Sequence, residues 1–469
     1  MANTVQFLVN GVDLTQYLEQ DTWTITQQWS RQGDTATFYL VDEHPSITEG
    51  GVSLTFTVQP LSQVVFVDNT LGVTLFSGLC TYPELTRPGP NLAYWELQCT
   101  DWTYLSDRAL VQLDTSNMTT DQIVLAAVAN ANCGINAALA PAGFVYPGPL
   151  VVRAKYIFNT LSAALTNTVQ LAATYTSWGW YIDENRNLHF YPLANAPVSG
   201  ITFSDNLTAQ IGGNSPVSTT FGFYDVDNFM YGWDATQMRN RAVVRGSTYF
   251  VAQVDTFVGN GSQTAWPLTQ APDTTAISSI NLKVAGVTQT VSAQLGTSQT
   301  TAFVIQPNLS GQWFLQVNGS FGSIPGAGAS IVIKYKYVAP NIAEVTAPAS
   351  IAKYASLPNR GVFSVYIADT NLQSLEAAQL RGQTEVHTFG YPEDRVQFYT
   401  TDDWPGHIRA GELFTFINSS TPDFYNGGSV GINDTFIVVQ LTIQASDKGA
   451  GYRVYQITAA RANGPAGIF

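Results

Sequence analysis

One stretch of the chain, Gly427-Gly428-Ser429-Val430-Gly431, fits the G-x-S-x-G pattern of a serine nucleophile. That chemistry needs a strand before the serine and a helix after it, so that the hydroxyl stands exposed over a helix dipole. Here a loop containing Pro and Asn precedes the motif, and the strand-like run Phe436 to Ile443 follows it, so a plain glycine loop is expected. Asp402-Asp403-Trp404 sets two carboxylates beside an aromatic ring, the ingredients of glycoside hydrolysis. Neighbouring strand residues point to opposite faces, which places these acids badly for one substrate. A solvated turn before Pro405-Gly406 is the expectation. Asp183-Glu184 is expected as an exposed acidic pair at a hairpin tip.

The four histidines, His44, His189, His387 and His407, are far apart and form no HxxxH or HxH group, so no metal site is expected. His189 alternates within a strand and is expected as a packed or surface residue. Cys80, Cys99 and Cys133 are odd in number and lack CxxC spacing, which suggests free thiols and neither a disulfide framework nor zinc. Cys80 and Cys99 fall on successive strands around a Pro-rich turn, a placement that would bring them close without requiring a bond. No phosphate-cradling glycine loop precedes a helix. Trp178, Trp180 and Tyr181 could make a sugar-stacking platform, but alternation puts both tryptophans on one face, and packing against the preceding helix explains them better. The chain is therefore expected not to be an enzyme: no catalytic, cofactor-binding or metal-binding residue is assigned, and no cofactor is expected.

The elements that would hold these residues are mostly strands. In 469 residues, 45% hydrophobic and 12% charged, there is chain for roughly three domains with real cores. Twenty basic residues against 34 acidic give a charge of -14, the wrong sign for stable nucleic-acid binding. No run approaches the roughly 18 apolar residues of a membrane span, and the start lacks a signal-peptide pattern, so a soluble protein made in the cytosol is expected.

The fold class expected is mainly β with minor α: two antiparallel β-barrel-like domains, a small helix-plus-hairpin α/β domain and an inserted β-sandwich. Residues 1–106 form the N-terminal barrel, with strands at Val5 to Val9, Thr22 to Thr26, Thr35 to Val41, Val52 to Val58, Leu71 to Cys80 and Ala93 to Thr100. Residues 107–195 are the helix and hairpin domain. Thr119 and Gln122 have capping-box spacing before a short helix. A second helix carries Ile157, Leu161, Leu165, Thr168 and Leu171 as one apolar stripe and leads into the hairpin Trp178 to Ile182 and Leu188 to Tyr191. Residues 196–254 begin a second barrel, and 255–340, broken by Gly, Pro and Asn turns, are the sandwich. Residues 341–469 complete the second barrel, with a helix over Leu372, Leu375 and Ala378 capped by Asp369 or Thr370 and ending at Gly382, then strands at Arg395 to Tyr399, Glu412 to Ile417, Phe436 to Ile443 and Tyr452 to Ile457.

The order of these elements resembles the bacteriophage baseplate hub, or tail hub, family. The resemblance is carried by Phe7-Leu8-Val9-Asn10-Gly11-Val12-Asp13-Leu14 and Leu75-Phe76-Ser77-Gly78-Leu79 at the start, and by the helix to Tyr175 running into Gly179-Trp180-Tyr181-Ile182-Asp183. Trp404-Pro405-Gly406 to Gly411-Glu412-Leu413, Phe436 to Gln440 and Tyr452 to Tyr455 carry it near the end. It implies a structural virion protein at the tail tip or baseplate, assembled in the host cytoplasm. Such a protein would be a homotrimer whose two barrels per subunit match a sixfold tail tube to a threefold central spike or tip. Its expected partners are its own copies, the tail tube or distal tail protein, and the spike, with DNA only in transit through an acidic lumen. A hexameric distal tail protein is the alternative, with 255–340 as its accessory sandwich, and a polysaccharide-degrading tail enzyme ranks third. If the hub reading holds, unpaired strand edges should make the subunit contacts, with Val5 to Val9 and Phe436 to Ile443 as candidates.

Overall fold

Strict alternation writes most of this fold. In Thr35–Asp42, Ala36, Phe38 and Leu40 turn inward and the residues between them turn out, as a half-buried strand requires. The computed structural model describes residues 5–462 apart from 30–32, 44–45, 49–50, 90–91, 173–177, 206–219, 223–228, 275–279, 294–300, 370–371, 373, 402–407, 424–428 and 446–452. It is mainly β, with 54% strand and 15% helix, so sheets set the cores.

The chain begins with β1 (Val5–Val9), β2 (Val12–Asp13), β3 (Thr24–Gln28), β4 (Thr35–Asp42), the short pair β5 (Ser46–Thr48) and β6 (Gly51–Ser53), β7 (Gln63–Asp68), β8 (Val73–Gly89) and β9 (Leu92–Asp101). Next come α1 (Thr103–Arg108), β10 (Leu110–Thr119), α2 (Thr120–Ala131), β11 (Leu150–Thr160), α3 (Leu161–Ala172) and the hairpin β12 (Trp178–Ile182) and β13 (Leu188–Pro192). Strands β14 (Val198–Ser204), β15 (Thr220–Gly222), β16 (Met230–Asp234) and β17 (Arg241–Val258) follow. Then come the short strands β18 (Ala265–Pro267), β19 (Asn281–Val284), β20 (Val287–Gln289), β21 (Val291–Ala293), β22 (Phe303–Pro307) and β23 (Trp313–Val317). The chain closes with β24 (Ser330–Thr346), α4 (Pro348–Lys353), β25 (Ser364–Ala368), α5 (Leu375–Phe389), β26 (Glu393–Thr401), β27 (Leu413–Asp423), β28 (Ser429–Ala445) and β29 (Arg453–Arg461).

Two compact units result: Met1–Val243 with Glu344–Ile367 and Gln379–Phe469, and Val244–Ala343 with Ala368–Ala378. In the larger unit the N-terminal and C-terminal strand sets are both present, and they are one sheet. Among the described residues, fourteen strands join, because β3 pairs with β4 on one side and with β28 on the other. Ile25 and Ile443 face each other at that seam, both fully buried. No closed barrel forms among the described residues. One apolar cluster accordingly takes Phe7, Phe38 and Phe66 from one end of the chain and Phe398, Phe414 and Phe436 from the other. A second cluster gathers α2, α3 and the hairpin around Trp178, Trp180 and Phe190.

The smaller unit is a β-sandwich. Residues of β18, β22 and β23 from a four-stranded sheet and of β19 and β24 from the other sheet share one apolar cluster, including Trp266, Leu282, Ile305, Leu315 and Ile333.

Several elements differ from their expected bounds. Ile157 belongs to β11, not to a helix: it pairs with Gln112 and is exposed. The helix starts at Leu161, where Thr160 Oγ1 accepts the Ala163 N–H; Phe158, at a positive φ of 53°, forms a bulge in β11, which pairs on to Thr160. The i, i+4 step from Ile157 to Leu161 was a coincidence of spacing. The helix expected over Leu372 to Gly382 is α5; Ser374 caps it by accepting the Ala377 N–H, and Gly382 lies inside it. The Arg381–Glu385 ion pair at 2.8 Å holds the turn that follows. Of Val52 to Val58 only Val52 and Ser53, the end of β6, are strand. The expected capping box at Thr119 and Gln122 is present.

Candidate assembly surfaces

Of the residues flagged for chemistry, Gly427, Gly428, Asp402, Asp403, Trp404, His44 and His407 lie outside the described residues. Ser429 opens β28 and pairs with Asp423, so a strand and not a helix follows it, and the nucleophile elbow is not built. His387 lies in α5. Among the described residues no group of three His, Cys, Asp or Glu side chains could hold a metal ion. Cys80 and Cys99 stand directly opposite each other on β8 and β9, both buried and both free thiols.

The acidic hairpin tip is buried, not solvated. Asp183 accepts the Asn185 and Asn187 N–H groups at 2.9 and 2.7 Å, and its Oδ2 lies 3.1 Å from His189 Nε2. Burial pushes this carboxyl up, but the bonds from His189 and Asn187 outweigh it and hold it below the ordinary range. The His189 ring is stacked between Phe144, 4.0 Å away, and Tyr181, 4.3 Å away. Arg409 lies over the other face of this stack, 5.5 Å from the Tyr181 ring, and its Nη1 is 2.5 Å from Glu184 Oε2. Trp180 Nε1 donates to Thr166 Oγ1 of α3, so the hairpin tryptophans pack on the preceding helix as expected. The other hairpin face is closed too: Trp29 Nε1 donates to Tyr191 at 3.0 Å, and a Cβ at Gly179 would lie 2.7 Å from the Trp29 ring. The aromatic hairpin is therefore a joint within the larger unit.

Two further joints were not foreseen. Arg453 of β29 and Asp68 of β7, both fully buried, meet at 2.6 Å across the core. Arg461 spends its guanidinium on three carboxylates: Nε on Asp394 at 2.6 Å, Nη2 on Asp423 at 2.8 Å and Nη1 on Asp434 at 2.6 Å. Planar, forked donors suit this task, as a lysine would not. A sequence signal for both existed. Arg453 and Arg461 fall in phase with Tyr455, Ile457 and Ala459, the inward positions of β29, so both were bound to be buried and to need acids. Half-buried Asp34 and buried Asp101 form a further acidic site, with the Asp101 N–H donating to the Asp34 carbonyl at 3.0 Å. Burial, with the Asp34 charge added, lifts Asp101 well above the carboxylate range, and burial pushes Asp34 up to about 7.

With these groups committed to the interior, surfaces are left to carry function. Phe436 to Ile443 is not an edge: β28 pairs with β29 along one side and with β27 and then β3 along the other. Its apolar residues are a sign of central burial, not of an edge. Strand β1 pairs with β7 throughout and is covered by β2 only at Leu8 and Val9. Open backbone lies elsewhere: β16 pairs only with β26, and β10 and β11 form a two-stranded ribbon with no further neighbour among the described strands. Phe158 and Leu150 of that ribbon are exposed.

No protein-family model and no curated protein matches the sequence. Solved structures do match. A 43 kDa tail protein of prophage MuSo2 from Shewanella oneidensis superposes with a TM-score of 0.54 at 11% identity, over 98% of this chain and 98% of that one. A tail protein from Neisseria meningitidis MC58 gives 0.51 at 9% identity, over 98% and 97%. At such identities the likeness establishes a shared fold, and it spans both units.

Proposed function

We propose that this chain is a structural subunit of a phage tail, the hub at the end of the tail tube. In this reading it joins a sixfold tube to a threefold spike or tip and leaves a channel through which DNA passes. The observation that carries it is the fold shared with two phage tail proteins along nearly the whole of all three chains. The single sheet supports it, since two strand sets joined in one sheet per subunit would give a trimer six similar positions around its axis. A net charge of -14 suits a lumen that repels DNA and lets it slide. The work is mechanical and needs no reacting group. Such a subunit would belong to the virion and assemble in the host cytoplasm before attachment to tube and spike.

The test is the mass of the purified chain by light scattering, followed by negative-stain imaging. A trimeric ring with a central hole is expected. A hexameric ring would replace the hub by a distal tail protein, and a monomer at all concentrations, alone and with tail-tube and spike proteins added, would overturn both. A mapped lumen that proved basic would remove the account of DNA sliding.

A further inference from the structure

The charge of the chain is unevenly divided. The smaller unit holds four basic and four acidic residues and is neutral, so the larger unit carries the whole of the -14. Lysine is scarce, six in all, and its placement is informative. Lys353 lies 4.8 Å from the Trp233 ring, Lys155 is opposite Asp114 in the ribbon, and Lys448 is outside the described residues. The other three, Lys283, Lys334 and Lys336, are exposed on one face of one sheet.

The register shows this. Leu282 and Ile333 are paired and fully buried in the sandwich, so Lys283 on β19 and Lys334 on β24 point outward. Tyr335 faces in, where its hydroxyl donates to Asp255 of β17 at 2.8 Å, so Lys336 also points outward. Diagonal neighbours on such a ladder are roughly 7–8 Å apart, close enough for three ammonium groups to raise one positive field. Among the described residues none of the three has an ion-pair partner. Apolar residues are exposed on the two strands as well: Phe250 of β17 is 60% exposed and Val254 51%, and Val338 on β24 is 47% exposed, with Thr256 and Thr288 as polar neighbours. A sheet face that looks onto water is ordinarily polar. This one combines apolar surface with unpaired cations, the composition of a covered face.

A face of opposite character lies on the larger unit. On β8 and β9, Glu84 and Glu96 stand directly opposite each other, with Tyr39 of β4 beyond Glu96 in the same row. Like charges so placed repel, and neither carboxylate has an ion-pair partner among the described residues. Tyr82 and Tyr94 share this outward face and are exposed. The Tyr39 hydroxyl is held above its usual range by burial and by the charges of Glu96 and Glu19.

We infer that these two faces meet between copies: the lysine and apolar face of one subunit docks on the glutamate and tyrosine face of the next. The contact is head to tail, and such a contact closes a ring when its rotation divides the circle. A polyanion such as DNA would satisfy the lysines but leave Phe250, Val254 and Val338 wet, and would leave the Glu84–Glu96 repulsion unrelieved. A second copy answers all of these at once. The inference deepens the hub reading and rests on it for the ring.

The test uses the full-length chain and charge reversal at the three exposed lysines, the exposed Glu84 and the half-buried Glu96. Lys283→Glu/Lys334→Glu/Lys336→Glu is expected to weaken self-association more than about tenfold, since like charges juxtaposed across an interface cost several kcal/mol. Glu84→Lys/Glu96→Lys should do the same. Mixed together, these two variants should regain association in alternation, because each native face meets its native counterpart and the two reversed faces are complementary to each other. All five reversals in one chain should restore the ring. Circular dichroism confirms that each variant is folded. A ring that forms equally well in both variants would sink the inference and leave the hub reading standing. A lysine-dependent ring of another size would sink the hub reading and leave the contact standing. A wild-type chain that stays monomeric at low ionic strength would overturn the inference.

Discussion

Arg453 and Asp68 form the ion pair on which most depends at the scale of single residues, because neither has any exposure and each comes from a different end of the chain. Removing one partner leaves a buried charge uncompensated, and Arg453→Met or Asp68→Asn is expected to cost about 3–5 kcal/mol in urea unfolding. Replacing both by apolar residues of similar volume should recover most of that loss, since the pair itself was expensive to bury. A double variant no better than the singles would show that Asp68 matters mainly for the turn it caps through the Thr70 and Leu71 N–H groups. Asp101 makes the opposite kind of statement. Its folded-state carboxyl titrates above the unfolded one, so the native protein holds a proton that the unfolded chain gives up. Stability from this site is full below the ordinary carboxylate value of about 4. It is lost as pH rises through the native values, of which that of the neighbouring Asp34 is about 7. Asp101→Asn keeps the oxygen that accepts the Thr103 N–H at 3.1 Å and cannot ionise. Its melting temperature should therefore fall less than that of wild type between about pH 5 and about pH 8.

At the scale of elements, the hairpin β12–β13 shows how a module is fixed to a sheet it does not pair with. Gly179 and Gly411, the latter at φ +91°, both approach the Trp29 ring closely. A methyl at Gly179 would meet Trp29 ring atoms at 2.7–2.8 Å, so Gly179→Ala should cost about 1–3 kcal/mol by overpacking. Gly232→Ala, with nothing within 4 Å, is the matched control. Thermal melts of the two variants would check this, and equal melting points would mean that Trp29 moves freely. The same hairpin marks what was legible in the sequence. Period-two and capping signals are local, so β1, β4, β9, the hairpin and the Thr119 cap could be read directly. Helix starts were less so, because Ile157 satisfied a helical spacing while the ladder with Gln112 claimed it. Register between distant strands left no local trace. Nothing in Thr24–Gln28 or in Phe436 to Ile443 says that they pair, which is why two barrels were expected where one sheet stands, and why a central strand was taken for an edge. The joints of the interior were half legible: the inward phase of Arg453 and Arg461 demanded acids, but Asp68, Asp394 and Asp423 are supplied by tertiary contact.

For the whole molecule, the decisive fact is that two units with separate apolar cores share continuous strands. β17 and β24 run across the boundaries at Val243 and Ala343, so at these two of the four crossings the chain passes between the units within a strand. Separate cores favour independent melting, and shared strands favour joint melting. The cores should win, because the sandwich buries its own cluster around Trp266, Leu315 and Ile333, while only a few residues of each strand lie beyond the boundary. Scanning calorimetry of the full chain is expected to resolve two transitions. Leu315→Ala, which empties a fully buried position of the sandwich, should cost about 2–5 kcal/mol and lower one transition alone. The same variant then separates mechanics from docking. If the sandwich contributes the lysine face to a ring, partial melting of that unit must dissolve the ring while the larger unit remains folded. Light scattering across the first transition should therefore show loss of mass before the second begins. A single transition displaced as a whole by Leu315→Ala would mean that β17 and β24 transmit unfolding across the boundary, and that the chain melts as one cooperative body.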